Sequence, residues 1–254
     1  MSKNKKIKLI SLIILVSLGL FLVWLTKPSY FLSIIIVLEP GAILNFSWLK
    51  NSKLKILIFS LAAGLLFAPA VELMARLKDI WDVSSIFPRP FSLIPLEDML
   101  SAFLNFFWGL SFYEYFSGGD KNKKINHRFK YLLLIFIIFS SIIYSLYYIN
   151  PQLIASNYFF IAIITLIIPE ALIFYFFPKL TKRIWLSTIF FALVFFSYEV
   201  LALYLDYWWW PGEYLLSIKL FSKTFPLDDA IIWYFLSTPA LIAGYEYFAS
   251  DLTE

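Results

Sequence analysis

The side chains able to do chemistry in this chain are almost all carboxylates. There is no cysteine and a single histidine, His127. That excludes thiolate catalysis, iron–sulfur clusters, disulfides and multi-histidine metal sites. The eight glycines form neither a GxGxxG nor a Walker pattern, so the sequence has no phosphate-cradling loop. The 17 Asp and Glu, by contrast, are ordered: twelve of them fall into six pairs that recur along the chain. Pro95-Leu96-Glu97-Asp98 returns as Pro226-Leu227-Asp228-Asp229, and Tyr113-Glu114-Tyr115-Phe116 returns unchanged as Tyr245-Glu246-Tyr247-Phe248. Glu72, Asp79 and Trp81 return at a constant offset of 127 as Glu199, Asp206 and Trp208. Glu39 beside Pro40 corresponds to Glu170 beside Pro169. The five unpaired acids, Asp82, Asp120, Glu213, Asp251 and Glu254, lie in loops or at the C-terminus.

Carboxylic acids in apolar surroundings suit general acid–base catalysis, because burial and a like-charged neighbour both favour the protonated form. Glu72 and Asp79, like Glu199 and Asp206, are seven residues apart, about two helical turns, which predicts that each pair shares a face. Glu97-Asp98 and Asp228-Asp229 open helices from the same side, with Pro95 and Pro226 in a first turn. The helix dipole favours acids there for structural reasons as well. Glu97, Asp98, Asp228, Asp229, Glu72, Glu199, Asp79 and Asp206 are therefore the candidate acid–base groups. Glu114 and Glu246 lie about 17 residues further along, or roughly 26 Å, and suit anchoring to lysines at the other end. Glu39 and Glu170 fit either catalysis or hydrogen bonding between helices.

Aromatic loops stand between these acid-bearing helix ends. One half has Trp81 and Phe87-Pro88-Arg89-Pro90-Phe91; the other has Asp206-Tyr207-Trp208-Trp209-Trp210-Pro211. Isolated tryptophans mark a membrane interface. Rings above carboxylic acids also suit a long apolar polyene and, through their faces, a carbocation. Trp81, Trp208, Trp209 and Trp210 are the candidate substrate-binding residues.

The elements that must position these groups are membrane helices. Of the 254 residues, 61% are hydrophobic and 15% charged, with a mean hydropathy of +0.79. Soluble domains run at about 45–50% and 25%, so a soluble enzyme is excluded. Segments apolar enough to span are 7–25, 30–49, 54–77, 95–116, 131–149, 158–177, 184–205 and 226–248. The first ends in Trp24-Leu25-Thr26-Lys27-Pro28, with no small-x-small cleavage site, and reads as an uncleaved helix. The fold expected is an all-α, polytopic bundle of eight spans in two parallel four-helix repeats, 1–118 and 131–254, joined by a basic linker at 119–130. Fifteen of the 21 Lys and Arg fall on the side of the N-terminus and six on the other. Both termini are therefore expected in the cytoplasm of a multi-pass protein of the cell membrane. The basic run 121–130, with His127, reads as a solvated loop drawn to anionic lipid, and no nucleic-acid role is expected.

The series Asp206-Tyr207-Trp208-Trp209-Trp210-Pro211, then Phe225-Pro226-Leu227-Asp228-Asp229, resembles the signature of the heterodimer-type lycopene cyclases, in their fused, duplicated form. In that family an Asp precedes a Trp-rich loop, followed by a Pro-Leu-Glu-Glu helix start. Here the acid pairs are Glu97-Asp98 and Asp228-Asp229, a shorter carboxylate at three positions. The resemblance implies carotenoid end-group cyclisation, an isomerisation that protonates a terminal alkene, closes the ring and removes a proton. It implies a long polyene substrate, no cofactor or metal, and contacts with other carotenoid enzymes. A carotenoid hydratase shares the protonation step. A membrane prenyltransferase needs acid clusters for magnesium, and Asp79-Ile80-Trp81-Asp82 matches only in part. A parallel-repeat transporter with proton-coupling carboxylates is the rival of another class.

Overall fold

The computed structural model describes residues 1–120, 124–155, 160, 163–214 and 216–250; the side chains at 155, 165, 228 and 229 also lie outside the description. The fold is all-α apart from two short antiparallel ribbons. Helix α1 (Lys3–Thr26) starts where the Ser2 side chain accepts from the Lys5 amide, and stops at Lys27, which is left-handed (φ 46°) ahead of Pro28. Helix α2 (Tyr30–Val37), capped by Ser29, breaks at Leu38 and continues as α3 (Glu39–Ser47). Pro40 in the first turn of α3 has no amide for the turn before it, which accounts for the break. A π-helical turn, Ala63–Phe67, joins α4 (Lys53–Ala62) to α5 (Ala68–Leu77). Helix α6 (Leu96–Tyr113) ends in another, Glu114–Gly118. Then come α7 (Phe129–Ile149), α8 (Pro151–Ala155), α9 (Ile168–Phe176) and α10 (Pro178–Tyr204). The chain closes with α11 (Leu227–Ala230), a π-helical turn Ile231–Leu236, and α12 (Ser237–Phe248).

Among the described residues, five helices are long and apolar enough to cross a membrane: Lys3–Thr26, Tyr30–Ser47, Lys53–Leu77, Phe129–Ile149 and Pro178–Tyr204. They match five of the eight expected spans. Segments 95–116 and 226–248 are largely helical without meeting that measure, and part of 158–177 lies outside the described residues. Large apolar side chains such as Leu65, Ile149 and Phe176 face outward, as they do when lipid is the solvent.

The same turn follows α5 and α10. The Ile80 amide donates to the Ala75 carbonyl at 2.9 Å, and the Tyr207 amide donates to the Ala202 carbonyl at 3.0 Å. Asp79 (φ 55°) and Asp206 (φ 59°) occupy the left-handed position between. This is a Schellman ending with Asp in the place usual for Gly. It corrects the expectation that Asp79 and Asp206 share helix faces with Glu72 and Glu199, because each helix ends before the second acid is reached. Both aspartates are exposed. The loops then meet: β1 (Asp82–Val83) pairs antiparallel with β2 (Trp208–Trp209), and Asp82 lies opposite Trp209, 127 residues on. The second ribbon, β3 (Ser217–Leu220) with β4 (Lys223–Pro226), turns at Phe221 and Ser222, both at positive φ.

Helix α6 is central, packing on α3, α10 and α12. Its Trp108 is fully buried, with the rings of Phe190 and Phe191 edge-on at 5.7 and 5.1 Å. Gly41 of α3 makes room, since a Cβ there would lie 2.4 Å from the Trp108 ring.

Candidate active site

A cavity of about 250 Å³ opens where α2, α5, α6, α10 and the two aromatic loops converge. Tyr30, Glu72, Trp81, Asp98, Glu199, Trp208 and Trp210 line it. Two π-helical turns also contribute, through Phe67 and through Trp233 and Tyr234. An extra residue per turn shifts the side-chain register, which is one way a helix turns a chosen group into a pocket.

Arg76 organises one wall. Its Nε donates to Glu72 Oε1 at 2.6 Å, one terminal nitrogen donates to Asp98 Oδ2 at 2.7 Å, and the other donates to Asp82 Oδ1 at 2.5 Å and the Trp81 carbonyl at 2.7 Å. Asp98 also accepts from the Tyr30 hydroxyl at 2.7 Å, and Glu72 from the Trp81 indole at 3.2 Å. Arg89 donates to Asp82 at 2.9 Å and to the Val83 carbonyl at 2.7 Å, joining the 84–93 loop to this wall. The planar guanidinium suits such simultaneous contacts, where a lysine would satisfy fewer.

Glu199 forms the other wall and is 1% exposed. Its Oε1 accepts from the Trp208 indole at 2.8 Å and the Trp210 indole at 2.9 Å, while Oε2 accepts from the Tyr234 hydroxyl. Trp81 stands steeply against Trp210 and Trp233, with centroids 6.0 and 5.9 Å away; Trp208 does the same against Tyr30 and Tyr198, each at 5.4 Å. Edge-on packing of this kind sets the edge of one ring against the face of the next, and the ring faces that line the cavity can meet an apolar or cationic group. Tyr207 fixes the start of the Trp loop by donating to the Pro28 carbonyl at 2.7 Å. Burial pushes its hydroxyl above the ordinary tyrosine value, so it stays a donor. Gly212 allows the loop to rest on the turn after α5, because a Cβ there would lie 2.7 Å from the Asp79 carbonyl.

Of the sequence-derived candidates, Glu72, Asp98, Glu199, Trp81, Trp208 and Trp210 therefore meet at one cavity. Glu97 points elsewhere: it is buried, and accepts from the Ser85 hydroxyl at 2.7 Å and from the Ile86 and Phe87 amides at 2.7 and 3.3 Å. Adjacent helical residues diverge by about 100°, so Asp98 faces the cavity while Glu97 holds the 84–93 loop. Asp206 pairs with Lys223 at the surface, and Trp209 is 43% exposed. Asp228 and Asp229 lie on α11, but their side chains fall outside the described residues. Pro95 and Pro226 precede their helices instead of entering the first turn.

At the opposite end, Glu114 is buried, 3.3 Å from Lys55, and accepts from the Tyr245 hydroxyl at 2.6 Å. Glu39 is half-buried and Glu170 buried, neither at the cavity; His127 is exposed. The residues the sequence argument missed are Arg76, Tyr30, Tyr198 and Tyr234. Arg76 lies four residues after Glu72 on one helix face, and that spacing was the available signal. Among the described residues, no group of three or more His, Asp or Glu side chains is disposed to hold a metal ion. No protein-family model, curated protein or solved structure matches the chain.

Proposed function

We propose that the chain is a multi-pass membrane enzyme that closes a ring at the end of a long polyene by acid–base isomerisation, as its resemblance to the lycopene cyclases implies. One observation carries this reading: Glu72, Asp98 and Glu199 share a cavity with the indole rings of Trp81, Trp208 and Trp210. Protonating an alkene needs a buried carboxylic acid, and removing the final proton needs a second carboxyl group within reach. The cation that forms between those steps is stabilised by aromatic faces. The reaction is redox-neutral, so the chemistry itself demands no electron carrier.

The cavity volume favours one end group over a whole carotenoid. About 250 Å³ is below the roughly 300–1,000 Å³ of pockets that enclose an entire ligand, and the rest of the polyene would remain in lipid. The architecture proposed around the site is eight spans in two parallel four-helix repeats, with both termini cytoplasmic. It is supported by the charge bias of the loops and by the Glu72–Trp81 and Glu199–Trp208 contacts, which recur at an offset of 127.

Expression in a lycopene-accumulating bacterial host, followed by pigment chromatography, tests the activity. Ring-bearing products are expected from the parent chain and not from Glu199→Gln or Asp98→Asn. Unchanged lycopene from well-expressed, folded parent protein would overturn the proposal, and a hydroxylated product would mark a hydratase. Reporter fusions after Phe116 and Glu254 are both expected to read as cytoplasmic.

A further inference from the structure

Resting on the cyclisation reading, we infer that the two halves divide the proton transfer. Glu199 donates the proton, the Arg76-held pair Glu72 and Asp98 receives it, and Leu203 keeps the two roles distinct. Glu72 and Glu199 are equivalent by position, 127 residues apart, and each accepts from the indole of the tryptophan nine residues on. Their surroundings then diverge. The same offset carries Arg76 onto Leu203, which is fully buried.

On the Arg76 side, Glu72, Asp98 and Asp82 face two guanidinium groups, those of Arg76 and Arg89. Bonds to a guanidinium favour the charged form of a carboxyl group, Glu72 and Asp98 also face each other, and three carboxyls against two cations leave room for a proton. Around Glu199 the contacts are neutral: Trp208 and Trp210 from one loop, Tyr234 from the π-helical turn, and Tyr198 beside it on α10. No ion pair reaches Glu199 among the described residues. A buried carboxyl group with no cation lowers its free energy by holding a proton.

The chemistry balances on this assignment. The Glu199 proton adds to the terminal alkene, and the electron pair of a neighbouring double bond forms the ring C–C bond. A C–H bond next to the resulting cation then gives its proton to Glu72 or Asp98, and its electron pair becomes the new double bond. The product is an isomer of the substrate. The gained proton leaves to water, and Glu199 takes one back from water.

Infrared difference spectroscopy of the protein in lipid, without substrate, tests the assignment directly. Parent-minus-Glu199→Gln spectra at neutral pH are expected to show a protonated carboxyl C=O band that shifts in D₂O. Parent-minus-Glu72→Gln and parent-minus-Asp98→Asn spectra are expected to show carboxylate bands instead. Leu203→Arg should convert the Glu199 signal to that of a carboxylate; if that variant does not fold, Glu199→Gln carries the test. A carboxylate signal from Glu199, or an acid signal from Glu72 or Asp98, overturns the inference. In the pigment assay, Glu199→Gln should lower ring formation by about 10²–10⁴-fold. Absence of any ring product from the parent chain, with the infrared assignment intact, would defeat the cyclisation reading and leave the division of charge standing.

Discussion

Replacing Arg76 by Met keeps much of the side-chain volume but leaves Glu72, Asp98 and Asp82 with only Arg89 to offset them. The Arg76 side chain is 4% exposed, that of Glu72 6% and that of Asp98 11%, so water screens little of this. Removing one partner of a buried ion pair costs about 3–5 kcal/mol, because the remaining charge is left uncompensated. Asp82 is about one-third exposed, so its contact with Arg76 adds less. For a chain of this length each kcal/mol shifts Tm by about 2–4 °C, which gives a fall of roughly 6–20 °C for Arg76→Met. Thermal unfolding in lipid nanodiscs, followed by tryptophan fluorescence, measures it. Lys223→Met is the control. It also deletes an ion pair, but the Asp206 side chain is 78% exposed, so about 0–1 kcal/mol is expected. The double variant Arg76→Met, Glu72→Gln should recover part of the loss, since it removes one of the stranded carboxylates. If Arg76→Met shifts Tm no more than Lys223→Met does, the wall is solvated and the argument from burial is wrong.

Four further outcomes follow from other parts of the molecule. Asp120 is pushed up by partial burial, but hydrogen bonds from the Lys50, Ser52 and Asn51 amides and the Ser52 hydroxyl outweigh this and hold it below the usual aspartate value. Its folded value being the lower one, the stability it adds is complete above about pH 4 and is lost as pH falls through the folded value; acid titration of Asp120→Asn should therefore lose that slope. Gly41→Ala forces a Cβ to within 2.4 Å of Trp108 and should cost about 1–3 kcal/mol. Gly244→Ala meets nothing within 4 Å in the middle of α12 and should stabilise by about 0.4–1 kcal/mol, both read by thermal unfolding. Trp208→Phe and Trp210→Phe each delete a donor to Glu199 and should reduce ring formation by about two- to tenfold, whereas Trp209→Phe, whose indole faces outward, should change it less than twofold.

Helix content was legible because apolar runs bounded by Ser2, Ser29 and Pro95 leave the backbone little choice in a nonpolar solvent. The candidate site was legible only in part. Glu72, Asp98, Glu199, Trp81 and Trp208 were legible from their repetition and Trp210 from its place in the aromatic loop, and all six converge at the cavity. Glu97 and Asp98 could not be separated from each other, because the angle between neighbouring residues is known while the direction of the bundle centre is not. Asp79 and Asp206 have a backbone reason to repeat: each fills the left-handed position of a helix ending, where Asp is tolerated and most residues are strained.

Arg76 carries no repeat signal, because the matching position 203 holds leucine. On the proposed reading one cavity serves both acid-bearing segments, and it has no need for two equal walls. The cyclisation proposed above passes a proton from one carboxyl group to another, and so assigns the two walls different roles. Identical surroundings would give Glu72 and Glu199 the same affinity for that proton. Arg76, with leucine at the matching position 203, breaks the equality at a distance of 2.6 Å from Glu72. In a duplicated acid-bearing bundle, the residues that fail to repeat are therefore where directionality is to be sought.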